Sequence, residues 1–215
     1  ESLLRKYGLE APVMSANKLF HEEGPAEQGL EELLQLARGV KPMGIEAVSF
    51  NPLRKEKKEL KTQAELETQA RYINRLGLEL HSLGVRLLLH QHDAEMRDNA
   101  REWRHWLHNT DSKFVSFCLD ADWVVRGSQD PMALLREAGG RVASLHIRSG
   151  RNGIWMEELG DGDPDYRPIA AHLKQSGFRG FLVVELAYEQ RTAVTRSLEE
   201  NLRRSRTYAE RIFSL

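Results

Sequence analysis

The sequence predicts an α/β fold of parallel strands joined by crossover helices, and three observations carry that prediction. Short runs rich in branched apolar residues recur along the chain, as strands buried on both faces do. A stretch with the three-four apolar spacing of an amphipathic helix follows each run. The alternation repeats about every 30–40 residues, the rhythm of a (β/α) barrel. With 215 residues, 40% of them hydrophobic, the chain can build one domain with a sizeable core, residues 1–215.

The opening Leu3-Leu4-Arg5-Lys6-Tyr7-Gly8-Leu9 reads as the tail of a helix. The run Ala11–Ala16 ends in Asn17 and leads through Gly24-Pro25 into a helix over 26–38, with Leu30, Leu33, Leu34 and Ala37 on its buried face. A second strand, Ile45–Phe50, closes at the turn pair Asn51-Pro52. Residues 54–61 form a mixed-charge run, read as a solvated loop or helix start. A long helix over 62–82 breaks at Gly84, before the strand Val85–His90. Residues 94–108 are helical again, with Trp103, Trp106 and Leu107 on one side, and Phe114–Asp120 is the next strand. Asp130-Pro131 supplies a cap and first-turn pair for a helix that Gly139-Gly140 ends. The strand 141–147 precedes a long loop over 149–164. A helix over 165–176, a strand over 181–186 and an amphipathic helix over 193–213 complete the chain.

That makes six strand–helix units, where a complete barrel has eight and about 250 residues. The expectation is a (β/α)8 TIM barrel lacking its first one or two units, with an open six-stranded sheet as the alternative. The chain opens on Glu1 rather than methionine, so a segment ahead of it, a targeting sequence included, stays open. A formal net charge of −1 provides no basic excess for phosphates, which argues against a nucleic-acid partner. No apolar run approaches the ~20 residues of a membrane span. A cytoplasmic setting and a small-molecule partner are therefore expected, and a homo-oligomer is compatible with everything above. The single cysteine, Cys118, lies inside an apolar run and reads as a core residue.

The chemistry is concentrated at strand ends. His90, Asp120, His146 and Glu185 each close a different apolar run. In parallel sheets and barrels all carboxyl ends share one face, so two imidazoles and two carboxylates converging there suit a divalent metal. Asp120 has a plainer reading as a loop cap, with Asp122 as the ligand instead. His146 taken alone reads as a hydrogen-bonded core histidine, and Glu185 as half of an ion pair with an arginine. Trp155 and Met156 are either part of a lid or anchors for the long loop.

Four segments in order carry a resemblance. His90-Gln91-His92-Asp93-Ala94-Glu95 resembles a His-Asn-His-Asp-x-Glu strand end. Leu119-Asp120-Ala121-Asp122-Trp123, with Gly127 and Asp130-Pro131, resembles an Asp-x-x-Trp/His segment. Gly140-Arg141-Val142 through His146-Ile147-Arg148 resembles Gly-Arg-x-x-x-x-His-x-Lys. Glu158-Leu159-Gly160-Asp161-Gly162 and the closing Glu185 complete the set. The pattern is similar to that of the xylose isomerase-like TIM barrels, the sugar phosphate isomerases and epimerases and the relatives that dehydrate or cleave keto-sugars.

The resemblance implies a divalent ion (manganese, cobalt, zinc or magnesium) on Asp120, His146 and Glu185. At the position of His90, epimerase members carry a glutamate. It also implies an isomerase or epimerase acting through an enediolate on a sugar or keto-sugar, with dehydratase or lyase chemistry as the runner-up. Glu185 is the candidate base, His92 its proton-carrying partner if His90 ligates, and Trp123 and Arg148 the candidate substrate contacts. A three-zinc DNA-repair endonuclease of the same superfamily fits poorly, because the earlier strands end in Asn17 and Asn51. A barrel serving as a non-catalytic module is the remaining alternative.

Overall fold

The computed structural model describes residues 2–55 and 59–214, and the chain divides into two compact units, Glu1–Cys118 and Leu119–Leu215. In the first unit the strands β1 (Val13–Lys18), β2 (Ala47–Pro52), β3 (Arg86–His90) and β4 (Val115–Asp120, whose last two residues belong to the second unit) pair in parallel and in sequence order. The helices are α1 (Ser2–Tyr7), α2 (Glu23–Val40), α3 (Gln63–Ser82) and α4 (Arg97–Asn109). Leu87, Leu88 and Leu89 of β3 are all buried, which is why this strand reads as a continuous apolar run rather than an alternating one. On α3 the buried positions Leu66, Ala70, Ile73, Leu76, Gly77 and Leu80 make one stripe. Trp103 and Trp106 of α4 are fully buried, and the Trp106 indole N–H donates to Gln69 at 2.7 Å.

Element ends follow local chemistry. Thr62 and Glu65 form a reciprocal capping box at the start of α3: the Thr62 N–H donates to Glu65 at 2.6 Å and the Glu65 N–H to the Thr62 hydroxyl at 3.3 Å. Asn51-Pro52, expected as a turn, instead continues β2 alongside Asn17 and Lys18, and at the last position of the strand the proline's missing N–H is tolerated. The first turn of α4 is not helical, because Asp98, Asn99 and Ala100 all have φ near +50°. In the mixed-charge run, residues 56–58 lie outside the described residues. Lys61, expected in solvent, is buried, with its ammonium 2.6 Å from Glu102, a partner 41 residues away.

In the second unit β5 (Val142–Ile147) pairs in parallel with β8 (Phe181–Val184). The helices are α5 (Ala121–Arg126), α6 (Pro131–Ala138), α7 (Tyr166–Ser176) and α8 (Leu198–Phe213). Asp130 caps α6 by accepting from the Met132 N–H at 2.8 Å, as the Asp-Pro pair predicts. The expected long loop holds a small antiparallel hairpin, β6 (Gly150–Arg151) and β7 (Ile154–Trp155), tied to Asp163 by a bridge from Gly150. The final helix starts at Leu198 rather than 193, because the Ser197 side chain caps it and the preceding segment is held by Glu157. Among the described residues no helix is long and apolar enough to cross a membrane.

Candidate metal centre

In the second unit three expected ligands meet. Asp120, His146 and Glu185 each offer a ligand atom, and these atoms lie within 4.8 Å of one another. Local folding explains each position. Asp120 ends β4 and caps α5, its Oδ1 accepting from the Trp123 N–H at 3.0 Å. It is therefore a loop cap and a member of the cluster at once. His146 lies one residue before the end of β5. Glu185 follows β8, and its N–H donates to the Ile147 carbonyl at 3.1 Å, which extends the β5–β8 ladder past the last strand residue. The pairing brings the two side chains together, with His146 Nδ1 2.8 Å from Glu185 Oε2.

Arg148 sits in the middle of this arrangement. Its Nη2 lies 2.9 Å from Glu185 Oε2 and 3.1 Å from Asp120 Oδ2, and its Nε is 3.9 Å from Asp122. The residue is 3% exposed. Burial opposes its charge, but the three carboxylates outweigh that and raise its pKa. For Glu185, burial pushes the carboxyl up, while the hydrogen bond from His146 and the Arg148 charge more than reverse this and keep it ionised. Asp122 goes the other way: burial, with Asp120 adding to it, raises its pKa against the Trp155 hydrogen bond and the nearby arginines.

Asp122 accepts from the Trp155 indole N–H at 2.8 Å and from Arg126 Nε at 3.1 Å. It thus ties the hairpin to α5, and it is not among the three clustered ligands. The Trp123 and Trp155 rings meet edge to face at 5.5 Å. Guanidinium groups of Arg126 and Arg148 lie 4.3 and 4.6 Å from the Trp155 ring centre. Trp155 is therefore an anchor of the loop. Sequence reading left its role open, and only the two-residue hairpin beneath it could have decided the matter.

The first unit holds the other two candidates. His90 ends β3, is buried, and its carbonyl accepts from Asn51 Nδ2 at 2.9 Å. Its ring meets that of His92 edge to face at 4.8 Å. The His92 N–H donates to Glu95 at 2.6 Å. Glu95, which sequence reading did not single out, is almost fully buried, and burial together with the Glu102 charge pushes its pKa up to about 7.

Two oxygen donors and one imidazole, at least one of the carboxylates held ionised, fit a divalent ion of the zinc, manganese or cobalt type. The neighbouring guanidinium is an additional positive charge at the same oxygens.

Comparison with known proteins agrees with the fold and narrows the family. The chain is 25% identical over 212 residues to an inosose dehydratase of Geobacillus kaustophilus, covering 85% of this chain and 69% of that protein. It spans about half the length of the inosose dehydratases from Clostridium perfringens that it also matches. Among solved structures, an L-ribulose 3-epimerase superposes with a TM-score of 0.81 at 16% identity, over 99% of this chain and 78% of that one. An IOLI protein with a bound zinc atom superposes with a TM-score of 0.78 at 17% identity, over 99% of this chain and 81% of that one. At these identities the superpositions speak for the fold alone. Residues 1–210 match the profile described as the xylose isomerase-like TIM barrel, and the chain belongs to that family.

Proposed function

We propose that this chain is a divalent-metal-dependent enzyme that removes the proton next to the carbonyl of a keto-sugar or keto-polyol. The observation that carries this reading is the convergence of Asp120, His146 and Glu185 on one point at the ends of their strands. His90 is proposed as the fourth ligand, on the ground that it ends β3 in a family whose sites gather at strand ends. When bound, the ion would polarise the carbonyl and acidify the adjacent C–H.

Glu185 is the proposed base. It is ionised, already fixed by His146, and able to accept a proton on an oxygen beside the cluster. His92 is the proposed proton carrier, and Trp123 and Arg148 are proposed to contact the substrate. A proton returned to a neighbouring carbon, or to the other face, gives isomerisation or epimerisation. Loss of a hydroxyl from the next carbon gives dehydration. The inosose dehydratases among the relatives favour dehydration, and the fold shared with an L-ribulose 3-epimerase keeps epimerisation as the second reading. A soluble cytoplasmic setting and a sugar-sized substrate go with either outcome.

The test is exchange in heavy water. With manganese or cobalt present, inosose or a ketohexose is expected to take up deuterium beside its carbonyl, and Glu185→Gln to reduce the rate at least about 100-fold. Release of water with appearance of a conjugated carbonyl distinguishes the dehydratase from the epimerase. No exchange on any keto-sugar or inosose, with each metal in turn, would leave the non-catalytic module as the better description.

A further inference from the structure

Arg148 is built differently from a surface arginine awaiting an anionic group. Its main chain is fixed by one side chain, the Tyr166 hydroxyl, which accepts from the Arg148 N–H at 3.0 Å and donates to the Arg148 carbonyl at 2.7 Å. Its guanidinium lies against two indoles, 5.5 Å from the Trp123 ring centre and 4.6 Å from that of Trp155. From there it reaches Asp120 and Glu185, two of the three clustered ligands. Glu185 Oε2 has both Arg148 Nη2 at 2.9 Å and His146 Nδ1 at 2.8 Å, an ion pair and a hydrogen bond on the same oxygen.

We propose that Arg148 sets the cation affinity of this site by competing for it: its guanidinium holds the same two carboxylates that a divalent ion would use, and so weakens binding of that ion. The inference rests on the metal reading above. Two physical effects point the same way. An ion approaching Glu185 Oε2 must displace or share a donor already in place. It must also come close to a fixed positive charge in a buried setting, where salt and water screen poorly. The opposite role is a ligand-orienting group, of the kind that commonly supports metal ligands from behind, and its removal would weaken binding. The sign of the effect therefore separates the two.

Calorimetric titration of the metal-free protein with manganese and zinc, for the parent, Arg148→Met and Arg148→Lys, decides it. Methionine fills the space between the indoles without charge, and lysine keeps the charge without the fork. Arg148→Met is expected to bind at least about 10-fold more tightly, which corresponds to about 1.4 kcal/mol. Arg148→Lys should stay near the parent. In thermal unfolding without metal, Arg148→Met should melt below the parent, because Asp120, Asp122 and Glu185 lose their shared counter-charge, and metal should restore more stability to it than to the parent.

Equal or weaker binding by Arg148→Met, with the parent binding metal, would overturn the proposal and leave the metal reading intact. Binding by Arg148→Met where the parent binds none would be the strongest form of the competition. No binding by either would sink both readings. Should Arg148→Met not fold, Arg148→Gln, which is also uncharged, takes its place with the same expectations.

Discussion

A single hydroxyl, that of Tyr166, closes both main-chain hydrogen bonds of Arg148, accepting at 3.0 Å and donating at 2.7 Å. Tyr166 is fully buried, and burial, with the nearby Asp120 charge, raises its pKa well above the ordinary phenol value, so it stays protonated and can do both. Tyr166→Phe would leave a buried N–H and a buried carbonyl unpaired. The expected cost is about 2–4 kcal/mol in urea unfolding. A cost under about 0.5 kcal/mol would mean that water or another group takes over.

Gly180 precedes β8 where its backbone passes very close to β5. A Cβ there would stand 2.1 Å from the Ala143 carbonyl oxygen and 2.4 Å from the Phe178 ring. Backbone cannot yield as a flexible side chain can, so Gly180→Ala should shift the β5–β8 register that places His146 beside Glu185. The expected loss is at least about 3 kcal/mol of stability, larger than the usual overpacking penalty. Circular dichroism melts would check it.

Glu95 makes stability depend on pH in the neutral range. Its folded pKa of about 7 lies above the unfolded value of about 4.3, so the folded state holds the proton more tightly. The stability that this confers is full below about pH 4 and is lost as pH rises to about 7, by up to about 4 kcal/mol. Glu95→Gln keeps an acceptor for the His92 N–H and should flatten this decline. Unfolding midpoints measured from pH 4.5 to 8 would show parallel curves if burial leaves the Glu95 carboxyl unshifted.

At the start of α3 the capping box should be worth about 1 kcal/mol, measured as the effect of Thr62→Ala. Glu65 adds an acid limb. Burial pushes it up, but the Lys55 ammonium and the Thr62 N–H and hydroxyl bring it down to about 2. The stability from its ionised form is present above about pH 4.3 and lost as pH falls towards 2, and Glu65→Gln should remove that limb.

The strands were legible in the sequence because most are buried on both faces, so Leu87–Leu89 and Phe117–Leu119 announce themselves by composition. His146 and Glu185 were legible as partners because each stands near the end of its own strand, and parallel pairing then puts such ends side by side. What escaped notice was short or nonlocal. Two residues per strand in β6 and β7 leave no period to read, and α5 has only six. Lys61 looked solvated until Glu102, 41 positions away, came within 2.6 Å. Nothing local reveals that two carboxylates, one 28 residues before Arg148 and one 37 after, close on its guanidinium.

The edge-to-face indoles of Trp123 and Trp155 give the second unit an optical reporter of its own. Trp155 lies within 5 Å of two guanidinium groups and donates its N–H to Asp122, so its emission is set by charges that border the ligand cluster. The other two tryptophans, Trp103 and Trp106, are sealed in the core of the first unit. Any cation that draws Asp120 and Glu185 away from Arg148 will therefore register as a change in colour and brightness from one pair of residues, over a constant background from the other.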